Sequence, residues 1–317
     1  MSASLVNITS EYDNMRLDRY LQSHYEDISF VQVQKKCRKG EVRVNSKRVK
    51  SSYRLVVGDI VRIPPFFKEK ACALDSGDDV YSVRDAEYIQ NMVIYENDGI
   101  VVINKDSGLA TQGGTGVQRS VDSLSRYLND NDTIRLVHRL DKGTSGVLVL
   151  AKSRQVSNNL RDKFKERSIK KKYVAIVHGT MEKPAGVINQ PLLKQNSGDF
   201  EKVVVDEELG KEAITKYKVL STYKDELSVV ALWPETGRTH QLRVHLAYLG
   251  HPILGDTKYG SKVQILDSVV QVKKMCLHAE TINIPEMDCS QSVVKISADL
   301  PQHMLDVLAF FDLEVSV

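Results

Sequence analysis

Residues 147–151 read VLVLA, five apolar side chains with no polar interruption. Alternate residues of a strand point to opposite faces, so such a run needs cover on both sides. The chain must therefore bury this strand within a sheet packed on two faces. Just before it, in VHRLDKGTSG (137–146), a single carboxylate, Asp141, stands between Arg139 and Lys142. The small residues Gly143-Thr144-Ser145-Gly146 then lead into the strand.

The surrounding pattern is strand-rich from about residue 89. MVIYEN and GIVVINK flank Asp98-Gly99, a hairpin-turn signal. Residues 153–168 predict a helix with Leu160 and Phe164 inward and Arg161, Lys163, Lys165 and Arg167 outward. YVAIVHG (173–179) predicts a strand, and AITKYKVLSTY and LSVVALW a hairpin about Lys224-Asp225-Glu226. THQLRVHLAYLG (239–250) predicts a helix with Leu242, Leu246 and Leu249 on one face and Gly250 at its end. The expectation over 89–317 is an α+β domain with a mainly antiparallel sheet.

At 317 residues the chain has room for about two domains. Leu17, Tyr20, Leu21 and Tyr25 recur at helical spacing, as do Phe30, Val33 and Cys37. Gly40 stops the second helix. Val42 and Val44 alternate with polar neighbours, and Gly58-Asp59 turns into IVRIP. This predicts a small α+β module over 14–63. Residues 64–88, with PPFFKEK and LDSGDD, carry no sustained period and read as a linker.

The net charge is +3, but residues 31–54 hold nine Lys/Arg and one Glu, a local +8. The rest of the chain nets −5, the difference between those two values. Nucleic acid responds to local fields, so this patch points to an RNA or DNA partner. Lys35, Lys36, Arg38, Lys39, Arg43, Lys47 and Arg48 are the candidate contacts.

Other chemistries are disfavoured. The N-terminus lacks a basic start followed by an apolar run, and no segment approaches the roughly 20 apolar residues of a membrane span. A cytoplasmic protein is expected. Cys37, Cys72, Cys276 and Cys289 form no Cys-x-x-Cys, so no zinc site or disulfide framework is indicated. Gly143-Thr144-Ser145-Gly146 lacks the following Gly of a hydrolase elbow. Gly113-Gly114-Thr115-Gly116 lacks the spacing of a nucleotide-binding loop. His240 and His245 are five apart and do not form a zincin pair.

Four segments occur together: HRLDKGTSGVLVLAK (138–152), KKYVAIVHG (171–179), GRTHQLRVHL (237–246) and GHPILGDTKYG (250–260). In combination they resemble the RluA-type pseudouridine synthases, and RLDRYLQ…RKGEVRVNSKRVK…VGDIVRIPP resembles an S4-type RNA-binding domain. The resemblance implies a mixed, largely antiparallel α+β core, no cofactor and no metal. It also implies 23S ribosomal RNA or a large-subunit precursor as partner, and a monomer is expected. Carried over by position, it assigns the nucleophile to Asp141 and the residue filling the gap left by the flipped nucleotide to Arg139. The aromatic ring against the base is Tyr173, and the pocket-lining leucine is Leu277. The arginine pairing with the carboxylate is best matched by Arg243, with Arg238 a weaker match. Many relatives carry an acidic residue where this chain has Gly143 and a Pro where it has Asp106, which leaves the local loop geometry open.

The chemistry fits these residue types. Pseudouridine formation breaks an N-glycosidic bond and rejoins the base through carbon. A carboxylate can act as nucleophile at C6 of the ring or at C1′ of the sugar. A base must take the C5 proton, and Asp141 or Tyr173 are candidates. A neighbouring Arg favours the charged form of a carboxylate in a water-poor pocket. Taken singly, Asp141 reads as a turn residue, Tyr173 and Leu277 as core, and Arg243 as a surface charge; only their joint occurrence argues for a site. A synthase acting on transfer RNA, or a non-catalytic RNA-binding assembly factor, are the competing readings.

Overall fold

The structure, a computed structural model, describes residues 3–9, 12–25, 28, 30–65, 67, 79–114, 117, 119–128, 134–197, 200–260, 272–285 and 293–315. Cys72, Cys289, Thr115, Gly116 and, within the 64–88 stretch, residues 66 and 68–78 lie outside the described residues. The chain divides into two compact units, Met1–Asp79 and Val80–Val317.

The first unit contains β1 (Ser4–Asn7), α1 (Leu17–His24), α2 (Phe30–Lys39), β2 (Arg43–Val44) and β3 (Ile60–Ile63). Its sheet runs β1-β3-β2, all antiparallel. The helical repeats bury Leu17, Tyr20, Leu21, Val33 and Cys37 against Val42, Val44, Leu55, Val61 and Ile63. The sequence signal missed β1, whose burial is slight and which forms only by pairing with β3.

The second unit opens with α3 (Asp79–Gln90), so the end of the stretch read as a linker is helical. Ile89, at the end of α3, is fully buried beside Met92 and Val101. Tertiary packing of this end explains a helix whose own periodicity is weak. There follow β4 (Val93–Glu96), β5 (Ile100–Lys105), α4 (Val121–Leu124), β6 (Arg135–Leu136), β7 (Ser145–Ala151), α5 (Arg154–Lys165) and β8 (Lys170–His178). Next come β9 (Ala185–Asn189), β10 (Leu192–Ser197), β11 (Phe200–Val205), β12 (Ile214–Tyr223), β13 (Leu227–Pro234) and α6 (Gln241–Tyr248). The chain closes with β14 (Leu277–Pro285), β15 (Val293–Ser297) and α7 (Gln302–Phe310).

The main sheet runs β4-β5-β7-β14-β8-β13-β12-β9, with β6 beside β7 and β15 beside β14. Among the described pairs only β7 and β14 are parallel, so the sheet is mixed and mainly antiparallel. All seven residues of β7 are buried. Leu148 and Leu150 face a cluster with Val101, Ile103 and Leu124. Val147, Val149 and Ala151 face the other side, where α5 supplies Leu160 and Phe164. This is the two-sided cover that VLVLA requires. Each fully buried leucine contributes roughly 1.5–3 kcal/mol.

The close approach of β7 and β14 depends on Gly146. Its φ is +106°, and a Cβ there would lie 2.2 Å from the Ala279 carbonyl oxygen. The glycine thus sets the spacing of the two strands that flank the site.

Candidate active site

Three adjacent strands fix the site. In the parallel pair, Ser145 of β7 lies opposite His278 of β14, and in the antiparallel pair Ala279 of β14 lies opposite Tyr173 of β8. Register therefore brings the Asp141 loop, Leu277 and Tyr173 to one end of the sheet. Helix α6 crosses the same end with Leu242 and Leu246 packed on the sheet, and carries Arg243.

The Asp141 loop is held by backbone acceptors and buried donors. The Thr144 N–H donates to the Asp141 carbonyl at 3.1 Å. The Thr111 hydroxyl donates to the Leu140 carbonyl at 2.7 Å, and the Gly108 N–H to the Lys142 carbonyl at 2.8 Å. Lys105 is fully buried, its ammonium donating to the carbonyls of Asp106 and Leu109 at 2.8 Å each. Burial lowers its pKa to about 8, against the opposing pull of Asp106 and Asp141. On the other side, His138 Nε2 accepts the Val149 N–H at 2.9 Å. Burial and the Lys171 charge hold His138 near a pKa of about 3, so it stays neutral and keeps that acceptor.

Neither unusual loop residue disturbs this framework. The Gly143 carbonyl accepts from Ser107 Oγ at 2.8 Å, and the nearest atom to an added Cβ is Met275 Cε at 3.2 Å. Asp106 accepts the Tyr88 hydroxyl at 2.8 Å. Both residues serve the loop through contacts of their own.

Arg243 connects Asp141 to a second carboxylate. Its Nη1 donates to Asp141 Oδ2 at 3.1 Å, while Nε and Nη2 donate to the two oxygens of Asp256 at 2.7 and 2.8 Å. The Asp256 side chain is 0% exposed and that of Asp141 24%. Burial alone would raise the Asp256 pKa, but the Arg243 hydrogen bonds and charge, with the Lys258 and Tyr259 amides, bring it below the usual carboxylate range. Asp256 Oδ1 accepts both amides, at 2.9 and 3.2 Å. Asp256 lies in GHPILGDTKYG, yet nothing in the spacing shows which arginine it orients. Arg238 does not join this network; its Nε donates to the Glu212 carbonyl at 3.0 Å.

Asp141 stands between two cavities. One, of about 590 Å³, is lined by Arg139, Asp141, Lys171, Tyr173, Arg238, Arg243 and Leu277, among others. The other, of about 670 Å³, includes Arg139, Asp141, Lys142, Arg243 and Lys258. Arg139 is exposed at the rim of both. Burial, reinforced by the Asp141 charge, pushes the Tyr173 phenol well above its ordinary pKa, so it remains protonated. The first cavity thus offers an aromatic ring, an aliphatic wall and the Asp141 carboxylate under a mainly cationic rim, its second carboxylate, Glu235, being paired with Lys216.

In the first unit, Lys35, Arg38, Lys39, Lys47 and Arg48 are exposed. Lys36 and Arg43, also among the candidate contacts, have partners within the unit. Lys36 donates to Glu41 at 2.7 Å, and Arg43 Nε to the Gly40 carbonyl at 3.0 Å. Lys36, in the last turn of α2, and Arg43, at the start of β2, are half-buried and are spent in part on the fold. No helix among the described residues is long and apolar enough to cross a membrane.

A mixed sheet with a carboxylate–arginine pair beside a cavity of about 590 Å³, in a chain that also carries a small basic α+β unit, fits an RNA-modifying enzyme. The chain belongs to the RNA pseudouridylate synthase family, and it is an RNA pseudouridine synthase, an isomerase. The family model described as RNA pseudouridylate synthase matches residues 99–248, and the S4 domain model matches 15–61. The chain is 37% identical over 286 residues to the ribosomal large subunit pseudouridine synthase C of Buchnera aphidicola subsp. Baizongia pistaciae, covering 89% of each. It is 37% identical to the protein of the same name from Rickettsia typhi, over 90% of this chain and 94% of that one. Among solved structures, human RNA pseudouridylate synthase domain containing 4 matches with a TM-score of 0.63 at 27% identity, over 75% of this chain and all of that one.

Proposed function

We propose that the chain converts uridines of large-subunit ribosomal RNA to pseudouridine, with Asp141 as the nucleophile. The carrying observation is the Asp141–Arg243 pair at 3.1 Å beside the cavity that holds Tyr173 and Leu277. Full-length relatives bearing the name ribosomal large subunit pseudouridine synthase C support the choice of RNA.

The target uridine leaves its stack at a cost of a few kcal/mol. Stacking on Tyr173 returns about 1–3 kcal/mol, and Arg139 fills the gap left behind. Leu277 closes the apolar side of the base. Arg243, held by Asp256, keeps the Asp141 carboxylate oriented and charged for attack. The protonated Tyr173 serves the base through its ring, not as a resting tyrosinate. The exposed cations of the first unit supply sequence-independent phosphate affinity.

Tritium release from 5-³H-uridine-labelled ribosomal RNA tests this. Wild type should release tritium from large-subunit RNA and not from transfer RNA. Asp141→Asn should bind the same RNA without release. Release by Asp141→Asn at the wild-type rate sinks the nucleophile assignment, and preference for transfer RNA sinks the substrate assignment.

A further inference from the structure

His240 stands at the start of α6 with a backbone φ of +54° and borders both cavities. Its Nδ1 lies 2.8 Å from the Tyr259 hydroxyl oxygen. That oxygen accepts the Val203 N–H at 3.1 Å. Among the described residues the hydroxyl proton has no acceptor other than His240 Nδ1, which favours the arrangement in which Tyr259 donates and Nδ1 accepts. Burial pushes the Tyr259 pKa up, so that proton is retained. Burial also pushes the His240 pKa down, against the upward pull of the Asp141 charge; the Arg243 and Lys258 charges act in the same direction as burial. A neutral imidazole that accepts at Nδ1 carries its proton on Nε2.

That Nε2–H sits 3.8 Å from Asp141 Oδ2, beyond hydrogen-bond distance. The Asp141 oxygen already has its donor in Arg243 Nη1. The imidazole therefore presents a fixed, unspent donor beside the carboxylate that meets the base.

We propose that His240 hydrogen-bonds, through Nε2–H, a carbonyl oxygen of the uracil brought against Asp141, and that Tyr259 holds the imidazole in the tautomer able to do so. This rests on Asp141 as nucleophile but not on which carbon it attacks. Addition at C6 forms a C6–O bond and moves the C5=C6 electron pair through C4 onto O4. Attack at C1′ forms a C1′–O ester and breaks C1′–N1, leaving that pair on the uracil ring, spread over O2 and O4. Either way a carbonyl oxygen gains negative charge, and a preorganised neutral donor stabilises it without giving up its proton.

The test uses the full chain, labelled ribosomal RNA, and kcat and KM from tritium release. His240→Ala should lower kcat about 100-fold, the scale of losing one such donor, with KM within about threefold. His240→Gln returns an N–H near the same place and should recover at least about tenfold of that loss. Tyr259→Phe, which removes the hydroxyl at Nδ1 and also the acceptor of the Val203 N–H, should lower kcat several-fold in protein that is still folded at the assay temperature. Wild-type kcat in His240→Ala or in Tyr259→Phe overturns the proposal, as does Gln performing no better than Ala in folded protein. A wild-type chain that releases no tritium would instead overturn the functional reading itself.

Discussion

The carboxylate of Asp256 takes both Nε and Nη2 of Arg243, at 2.7 and 2.8 Å, in a fork buried beneath the site. Only Nη1 is left to face Asp141. The fork makes the arginine's direction a property of the fold and not of the substrate.

Asp256→Ala should therefore cost about 3–5 kcal/mol of stability, the scale for leaving a buried charge without its partner. Tritium release should fall with it, because Arg243 loses its aim. Arg243→Lys should be poorly active even when folded, since an ammonium cannot make the fork. Denaturant melts and single-turnover rates on the two variants check this.

Asp141→Asn should behave in the opposite way. The Asp141 side chain is 24% exposed and Arg243 remains forked without it. Stability should change far less than in Asp256→Ala, because Arg243 keeps its buried carboxylate partner, while turnover disappears.

Two glycines near the site should respond differently to a methyl group. Gly146→Ala meets the Ala279 carbonyl oxygen at 2.2 Å with φ at +106°, and should destabilise by at least about 2 kcal/mol. Gly143→Ala meets only the mobile end of Met275 at 3.2 Å and should cost less than about 1 kcal/mol. Thermal melts of both variants make the comparison.

Acid should weaken the fold early. Burial holds His138, His178, His245, His278 and His303 below their ordinary pKa. Folded, they stay neutral; unfolded, they take up protons below about pH 6.5. Their contribution is full above that value and is lost as pH falls toward the folded values. Guanidinium midpoints should stay nearly level from pH 7.5 to about 6.5 and fall from there to pH 5, and a midpoint that is flat below about 6.5 would contradict this reading.

The basic face should be readable in salt. Replacing exposed Lys35, Arg38 and Lys39 together with Ala should flatten log K against log[salt] by about 0.7–0.9 for each phosphate left without its cation. Replacing Lys36 and Arg43 should change the slope less, because Glu41 and the Gly40 carbonyl already hold them. Filter binding across a salt series separates the two sets.

Local pattern was enough for much of the architecture. Helical spacing of Leu17, Tyr20 and Leu21, the Asp98-Gly99 hairpin, and the uninterrupted VLVLA each act over a few residues, where periodicity carries the information. Helix α3 escaped because its buried end is set by distant partners such as Val101. The acceptors of Lys36 and Arg43 could not be read either, because sequence shows charge but not what it bonds.

The sequence by itself determined several of the strands, VLVLA among them, the basic face and the set of chemical groups available, Asp141, Tyr173 and Arg243 included. Only the tertiary structure decided which of them meet. Ser145 opposite His278 and Ala279 opposite Tyr173 bring remote segments to one sheet end. Asp141 and Arg243, 102 positions apart, then stand 3.1 Å from each other. Strand register and helix packing fix such distances, and neither is written in the local alternation of polar and apolar residues. The same holds for Asp256, which became part of the site only when the fold turned Arg243 toward it.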